Sequence, residues 1–156
     1  MLSNKRCDST DNYLDPFTME YAQTSDFAIK HKVLHQQPKE KYYGNREYKR
    51  HLILDSKNIK NEHTLLQKRC TQLLFRIREG RGKAVYLIGV EDNGNANGLL
   101  QDECIKSIKN FIVITETIGV KINKMRIYTW KNKIDDARYC VIFKVVKTLD
   151  DIHCLI

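Results

Sequence analysis

The chain is 156 residues long with 42% hydrophobic and 29% charged residues, enough for one domain with its own core plus extensions. Its 27 Lys+Arg against 19 Asp+Glu give a formal charge of +8, which favours an anionic partner, and no apolar run approaches the ~20 residues of a membrane span. Five cysteines, at 7, 70, 104, 140 and 154, are odd in number and form no CxxC pair, which argues against a disulfide frame or a zinc site.

The charge is uneven. Residues 1–29 set Lys5 and Arg6 against Asp8, Asp11, Asp15, Glu20 and Asp26, a net −3, leaving +11 for residues 30–156. The opening MLSNKRCDST has no apolar core, so a cytoplasmic protein without a signal peptide is expected. No helical or strand period persists through residues 1–29. Tyr13, Phe17, Tyr21 and Phe27 stand as separated aromatics on an extended arm, suited to dock in a partner's grooves, although a floppy tail has the same composition. Residues 30–43, KHKVLHQQPKEKYY, read as a basic linker in which Pro38 discourages a helix. The expected division is an arm and linker at 1–37, a basic domain at 38–150 and a tail at 151–156.

Within the domain, Arg46–Leu54 alternates as a strand, with Tyr48 and Arg50 against Lys49, His51 and Ile53. A polar loop leads to a helix over about 62–79, whose Leu66, Cys70, Leu73, Leu74 and Ile77 form one stripe. Gly80 stands at its C-terminal stop. Lys83–Val90 reads as a strand, and Asn93-Gly94 predicts a hairpin turn. A second helix over about 101–118 carries Ile105, Ile108, Phe111, Ile112 and Ile118 and closes at Gly119. Strands at Lys124–Trp130 and Arg138–Lys147 follow, the latter through the β-branched and aromatic run YCVIFKVV. The order β-α-β-β-α-β-β predicts an α+β domain with two helices on one face of a mixed or antiparallel sheet of about five strands.

Two motifs resemble sites and are not. RIREGRGK lacks the glycine spacing and the Ser or Thr of a phosphate loop, so no nucleotide is expected. DNGNANGLLQDE puts Gly94 and Ala96 where a calcium loop needs acids or amides. The basic set Lys49, Arg50, Arg76, Arg78, Arg81 and Lys83 is contiguous if the first strand and helix pack together. With Asn45 and with Tyr42, Tyr43 and Tyr48 beside it, this set suits RNA: the cations contact phosphates and the tyrosines stack on unpaired bases. The bland alternative is a solvated face with half-buried tyrosines. Lys106, Lys109, Lys121, Lys124 and Arg126 form a second basic set. Glu47, Glu91 and Asp92 could gather at one end of the sheet, as carboxylates that bind Mg²⁺ or Mn²⁺ for phosphodiester cleavage do. The alternative pairs Glu47 with a cation of the first helix and leaves Asp92 to support a turn.

Gly44-Asn45-Arg46-Glu47-Tyr48-Lys49, Glu79-Gly80-Arg81-Gly82 and Ile88-Gly89-Val90-Glu91-Asp92-Asn93-Gly94 together resemble the domain that precedes the GTPase module in the GTP-binding protein 1 and 2 family of translational GTPases, over roughly residues 38–130. No nucleotide motif follows, so the resemblance implies a translation context without GTP binding. A basic domain standing alone is also similar to a microsporidian ribosome-bound dormancy factor. A looser similarity is to the Schlafen AlbA-like domain, some of whose members cleave RNA with three carboxylates. Glu47 and Asp92 match two of them, while the third falls at Tyr42. The expected function is a monomeric, non-enzymatic factor that binds ribosomal RNA and proteins without metal or cofactor. It would fill a tRNA site, the exit site in particular, and keep ribosomes idle. The alternatives are a nuclease using Glu47, Glu91 and Asp92, and an adaptor that grips a protein through residues 1–29.

Overall fold

The computed structural model describes residues 26–55, 58–134 and 136–147. Tyr13, Phe17 and Tyr21 of the arm and the tail at 151–156 lie outside the described residues. The elements are β1 (Phe27–Lys30), β2 (Arg46–Lys49), α1 (Ile59–Glu79), β3 (Lys83–Ile88), α2 (Gln101–Ile118), β4 (Lys121–Lys131) and β5 (Ala137–Val146). They form one five-stranded sheet in the order β1-β4-β5-β3-β2. The outer strands β1 and β2 run parallel to β4 and β3, and the inner pairs are antiparallel. The fold is α+β with a mixed sheet, as expected.

Both helices lie on one face. The α1 stripe meets β3, and α2 packs on β5, β4 and α1. Their apolar residues join alternate strand residues in one cluster that includes Ile77, Tyr86, Ile108, Phe111 and Phe143. The Phe111 and Phe143 rings stack at 4.2 Å, and Tyr86 tilts onto Phe111 at 5.0 Å. Cys70, Cys104 and Cys140 are free and buried, and burial pushes the Cys140 thiol up to about 12, so all three act as small apolar groups. α1 begins three residues before the expected start because Asn58 caps it, its side chain accepting the Lys60 N–H at 2.9 Å. At its other end Gly80 is not left-handed (φ −96°). Glycine is needed there because an added Cβ would lie 1.8 Å from the Lys83 carbonyl oxygen. The positive φ falls on Arg81, at 53°.

Two expectations are corrected. Asn93-Gly94 does not turn a hairpin, because both edges of β3 are already taken by β2 and β5. Residues 89–100 instead fold as a loop, with the Gly94 N–H on the Glu91 carbonyl and Leu99 bridged to Tyr139. The boundary at 38 also fails. Phe27 and Ile29 lie in β1 and pack against the main core, and Leu34 is buried in a second cluster with Tyr48, Leu87, Val90 and Cys140. Phe27 is thus a packing residue of the sheet and not an anchor on a loose arm.

The linker is pinned as well. The Gln37 N–H donates to the Gly94 carbonyl at 2.9 Å, and the Glu40 N–H to the Asp92 carbonyl at 2.8 Å. Residues 31–41 and 89–100 therefore cover part of the sheet face opposite the helices. β2 is shorter than expected, since Leu52 leaves the sheet to plug under α2. There its N–H donates to Ser107 Oγ, and its carbonyl accepts from Asn110.

Gly94 (φ +94°) touches the linker so closely that a Cβ would lie 1.9 Å from the Gln37 oxygen, whereas Gly44 (φ +87°) faces open space. Gly44→Ala is expected to cost about 1–2 kcal/mol from backbone strain alone. Gly94→Ala should cost clearly more, because it also undocks the linker. Urea unfolding of the two variants side by side checks the difference.

Candidate nucleic-acid interface

Arg76 organises the region. It sits one turn before the end of α1 and is only 4% exposed. Its Nε donates to Glu47 Oε1 at 2.8 Å, Nη1 to the Gly44 carbonyl at 2.9 Å and Nη2 to the Lys41 carbonyl at 3.0 Å. Glu40 Oε2 lies 3.8 Å from Nη2. The guanidinium presents five donors in a fixed plane, so one side chain ties a strand carboxylate to two carbonyls of a loop. Its role is internal, and the expectation that Arg76 reaches a phosphate is corrected on that ground. Lys49 is also turned inward, 3.4 Å from Glu47 Oε2.

The three proposed carboxylates do not gather. Glu47 is 6% exposed and committed to Arg76 and Lys49. Glu91 faces Arg50 at 3.8 Å and accepts from Asn97. Glu40, the one acid of the KHKVLHQQPKEKYY segment, is the carboxylate that shares Arg76 with Glu47. It also accepts the Tyr48 N–H at 2.5 Å and so blunts the outer edge of β2. Burial raises the Glu40 carboxyl above its usual range. The Tyr48 N–H and Arg76 pull it down, and the nearby Glu47 and Asp92 push it up. Among the described residues no group of three His, Cys, Asp or Glu side chains is placed to hold a metal ion.

The loop that Arg76 supports from beneath carries Tyr42 and Tyr43, 87% and 52% exposed. Their rings meet edge to face at 5.3 Å, and Lys41 Nζ lies 5.6 Å from the Tyr43 ring centre. Tyr48 differs from them. It is buried in the second cluster, donates to the Pro38 carbonyl at 2.8 Å and carries the Arg46 guanidinium on its ring at 5.8 Å. Asn45 also works internally, donating to the Lys83 carbonyl.

The cations sort differently from the two expected sets. Arg46, Arg78, Arg81 and Lys83 gather at the end of the sheet where α1 stops, beside Asn45 and the tyrosine loop. Arg50 lies at the other end of β2, toward Glu91. Lys106 pairs with Asp55 on the helix side of the sheet, where Lys109 shares its helix. Strand alternation turns Lys124 and Arg126 to the opposite face, where both engage Asp26, at 3.6 and 2.5 Å. Lys144 escaped the sequence reading. It directly opposes Lys124 on that same face. The signal was present, since Lys144 is the one charged residue in YCVIFKVV, in phase with Cys140 and Ile142.

Fold and site together define a basic α+β domain that offers an exposed aromatic pair among cations. The chain is similar to GTP-binding protein 2 of mouse and of human, 42% identical to each over 89 residues. That stretch is 57% of this chain and 14% of each relative's length, and it supports a relationship to the GTP-binding protein 1 and 2 family. No protein-family model and no solved structure matches the chain.

Removing Arg76 breaks a buried ion pair, leaving Glu47 with Lys49 as its one remaining cation and two loop carbonyls without their donor, and breaking such a pair typically costs about 3–5 kcal/mol. Arg76→Ala should lose stability of that order in urea unfolding. Arg76→Lys keeps the charge without the fork and should fall between Ala and wild type. The raised carboxyl of Glu40 means that its stabilisation is fully present below its ordinary pKa of 4.5 and is lost as pH rises through the higher folded value. Glu40→Gln, which mimics the protonated acid, should therefore gain stability relative to wild type as pH rises. The difference should vanish under acid conditions, as read from urea midpoints across pH.

Proposed function

We propose that this protein is a ribosome-associated factor that acts by occupancy rather than by chemistry, filling a tRNA site, the exit site first, and holding ribosomes idle. The observation that carries the reading is the Tyr42–Tyr43 pair. Two adjacent tyrosines stand exposed on a loop fixed from below by a buried arginine, with Lys41 against the Tyr43 ring and Arg46 in the strand that follows. An aromatic pair so presented leaves most of its ring surface outside the core, and aromatic faces beside a cation suit unpaired bases of structured RNA. The similarity to GTP-binding protein 2 agrees with the motif resemblance to the translational GTPases, and the two together support a translation setting. A charge of +11 over residues 30–156 supports a polyanionic partner. The reading gives Glu47 no catalytic part, since Arg76 and Lys49 hold its carboxylate.

Sedimentation with purified ribosomes through sucrose, at low and moderate salt, tests it. Co-migration that weakens as salt rises is expected. Tyr42→Ala combined with Tyr43→Ala should reduce binding by roughly 1–3 kcal/mol per stacked base while leaving the fold intact. Protein remaining at the top of the gradient at both salts would sink the proposal. Cleavage of ribosomal RNA or tRNA in Mg²⁺ or Mn²⁺ that Glu47→Gln abolishes would replace it with a nuclease.

A further inference from the structure

Among the described residues, the sheet face opposite the helices is covered over only half its area. Leu34, Val90, Ala96 and Trp130 pack there against Tyr48, Leu87, Cys140 and Ile142. The other half lies toward the end of the sheet where α1 stops. Register places Arg46, Val85, Lys144 and Lys124 in one row across β2, β3, β5 and β4. The next row on the same face is Lys83, Val146 and Lys121. Neighbouring strands lie about 4.8 Å apart and same-face residues roughly 6.7 Å apart along a strand. Five cations therefore share a patch two rows deep that, among the described residues, contains no carboxylate. Arg46, Lys83, Lys121 and Lys144 are exposed, and Lys83, Lys121 and Lys144 form no ion pair among the described residues. Asp26, the acid at its border, engages Lys124 and Arg126.

The arrangement works against the fold. Lys124 and Lys144 are direct cross-strand partners, and like charges so opposed are destabilising. Arg81, in the turn that leads into Lys83, takes a left-handed conformation (φ 53°) that favours glycine. A sheet under no demand but stability would put a carboxylate at one of the paired positions and glycine at the turn.

We propose that this open half-sheet binds the phosphodiester backbone of RNA. Its five cations lie along the chain, and the tyrosine loop at its Arg46 corner receives a base. The inference rests on the ribosome reading for its choice of RNA, and it deepens that reading by naming the surface. The flat face, free of exposed large apolar side chains, suits a backbone laid across the strands better than a membrane, and the adjoining tyrosines suit bases better than an acidic peptide.

Lys144→Glu tests the surface without endangering the fold, since it converts a repelling pair into an ion pair with Lys124. The full chain would be titrated with a labelled oligouridine, with purified ribosomes and with phosphatidylserine vesicles, at several salt concentrations. Lys68→Glu, the same change at an exposed α1 position, serves as the control. The expected result for Lys144→Glu is an unchanged or higher melting temperature, RNA affinity lowered at least several-fold, and a log–log salt slope reduced by about one. Arg81→Gly should likewise weaken RNA binding with stability unchanged or raised. Equal RNA affinities for the Lys144→Glu and Lys68→Glu proteins overturn the inference. So does Lys144-dependent binding to vesicles without binding to RNA, which would assign the face to a membrane. Ribosome binding that survives Lys144→Glu but fails in the tyrosine variant overturns this surface and leaves the ribosome reading standing. Oligouridine binding that depends on Lys144 without any ribosome binding does the reverse.

Discussion

The buried Arg76–Glu47 contact is the constraint on which the arrangement of this domain rests. β2 is four residues long and lies at the edge of the sheet, held by a parallel pairing to β3. Parallel pairing of so short a strand is weak by itself. Arg76 strengthens it from the helix side and also fixes the backbone on either side of the tyrosines. Without that fork the loop would keep little from the helix side beyond the Gly44 N–H on Glu79 Oε1 at 2.9 Å. A buried ion pair need not add net stability relative to an apolar pair, but it demands one geometry. Here the geometry that it demands is the one that turns Tyr42 and Tyr43 outward.

The same constraint explains why the cations divide as they do. Arg76 and Lys49 are consumed by the carboxylates beneath α1, so on the sheet itself the positive charge left to solvent is carried by residues turned away from the helices and by the turn at its end. The linker and the 89–100 loop meet through the hydrogen bond from Gln37 to Gly94, and together they roof over the apolar half of that face. What they leave bare is charged. Covering one half and charging the other leaves little apolar surface on this side of the sheet in water.

Much of this was legible in the sequence. The helical stripes through Cys70, Leu73 and Ile77 and through Ile108 and Phe111 and the α+β class follow from local pattern, whereas nothing local separates the exposed Tyr42 and Tyr43 from the buried Tyr48. The errors share one cause. Whether Asn93-Gly94 turns a hairpin depends on whether β3 has a free edge, and that is decided by β2 and β5, which are distant in sequence. Phe27 was assigned to a loose arm because four residues of strand carry almost no local signal, and its partner is β4, about a hundred residues away in sequence. Arg76 was placed on the RNA face, while the alternative that a cation of the first helix pairs with Glu47 proved right, and several basic residues of that helix could have filled the role. Only tertiary packing shows that Arg76 points inward. Lys144 lay within a strand that was read correctly, yet its significance depends on the residue opposite.

The pairing of β1 with β4 has a consequence for how the chain reaches its native state. Asp26 and Arg126 are 100 positions apart, so β1 has no place to attach until the polypeptide through β4 has been made and has come together with β5. The loop closed by that contact is the longest among the described hydrogen bonds, and its closure entropy makes it a late event. During synthesis the N-terminal residues therefore leave the translating ribosome first and join the sheet last, and until then one edge of β4 is an open template for strand pairing.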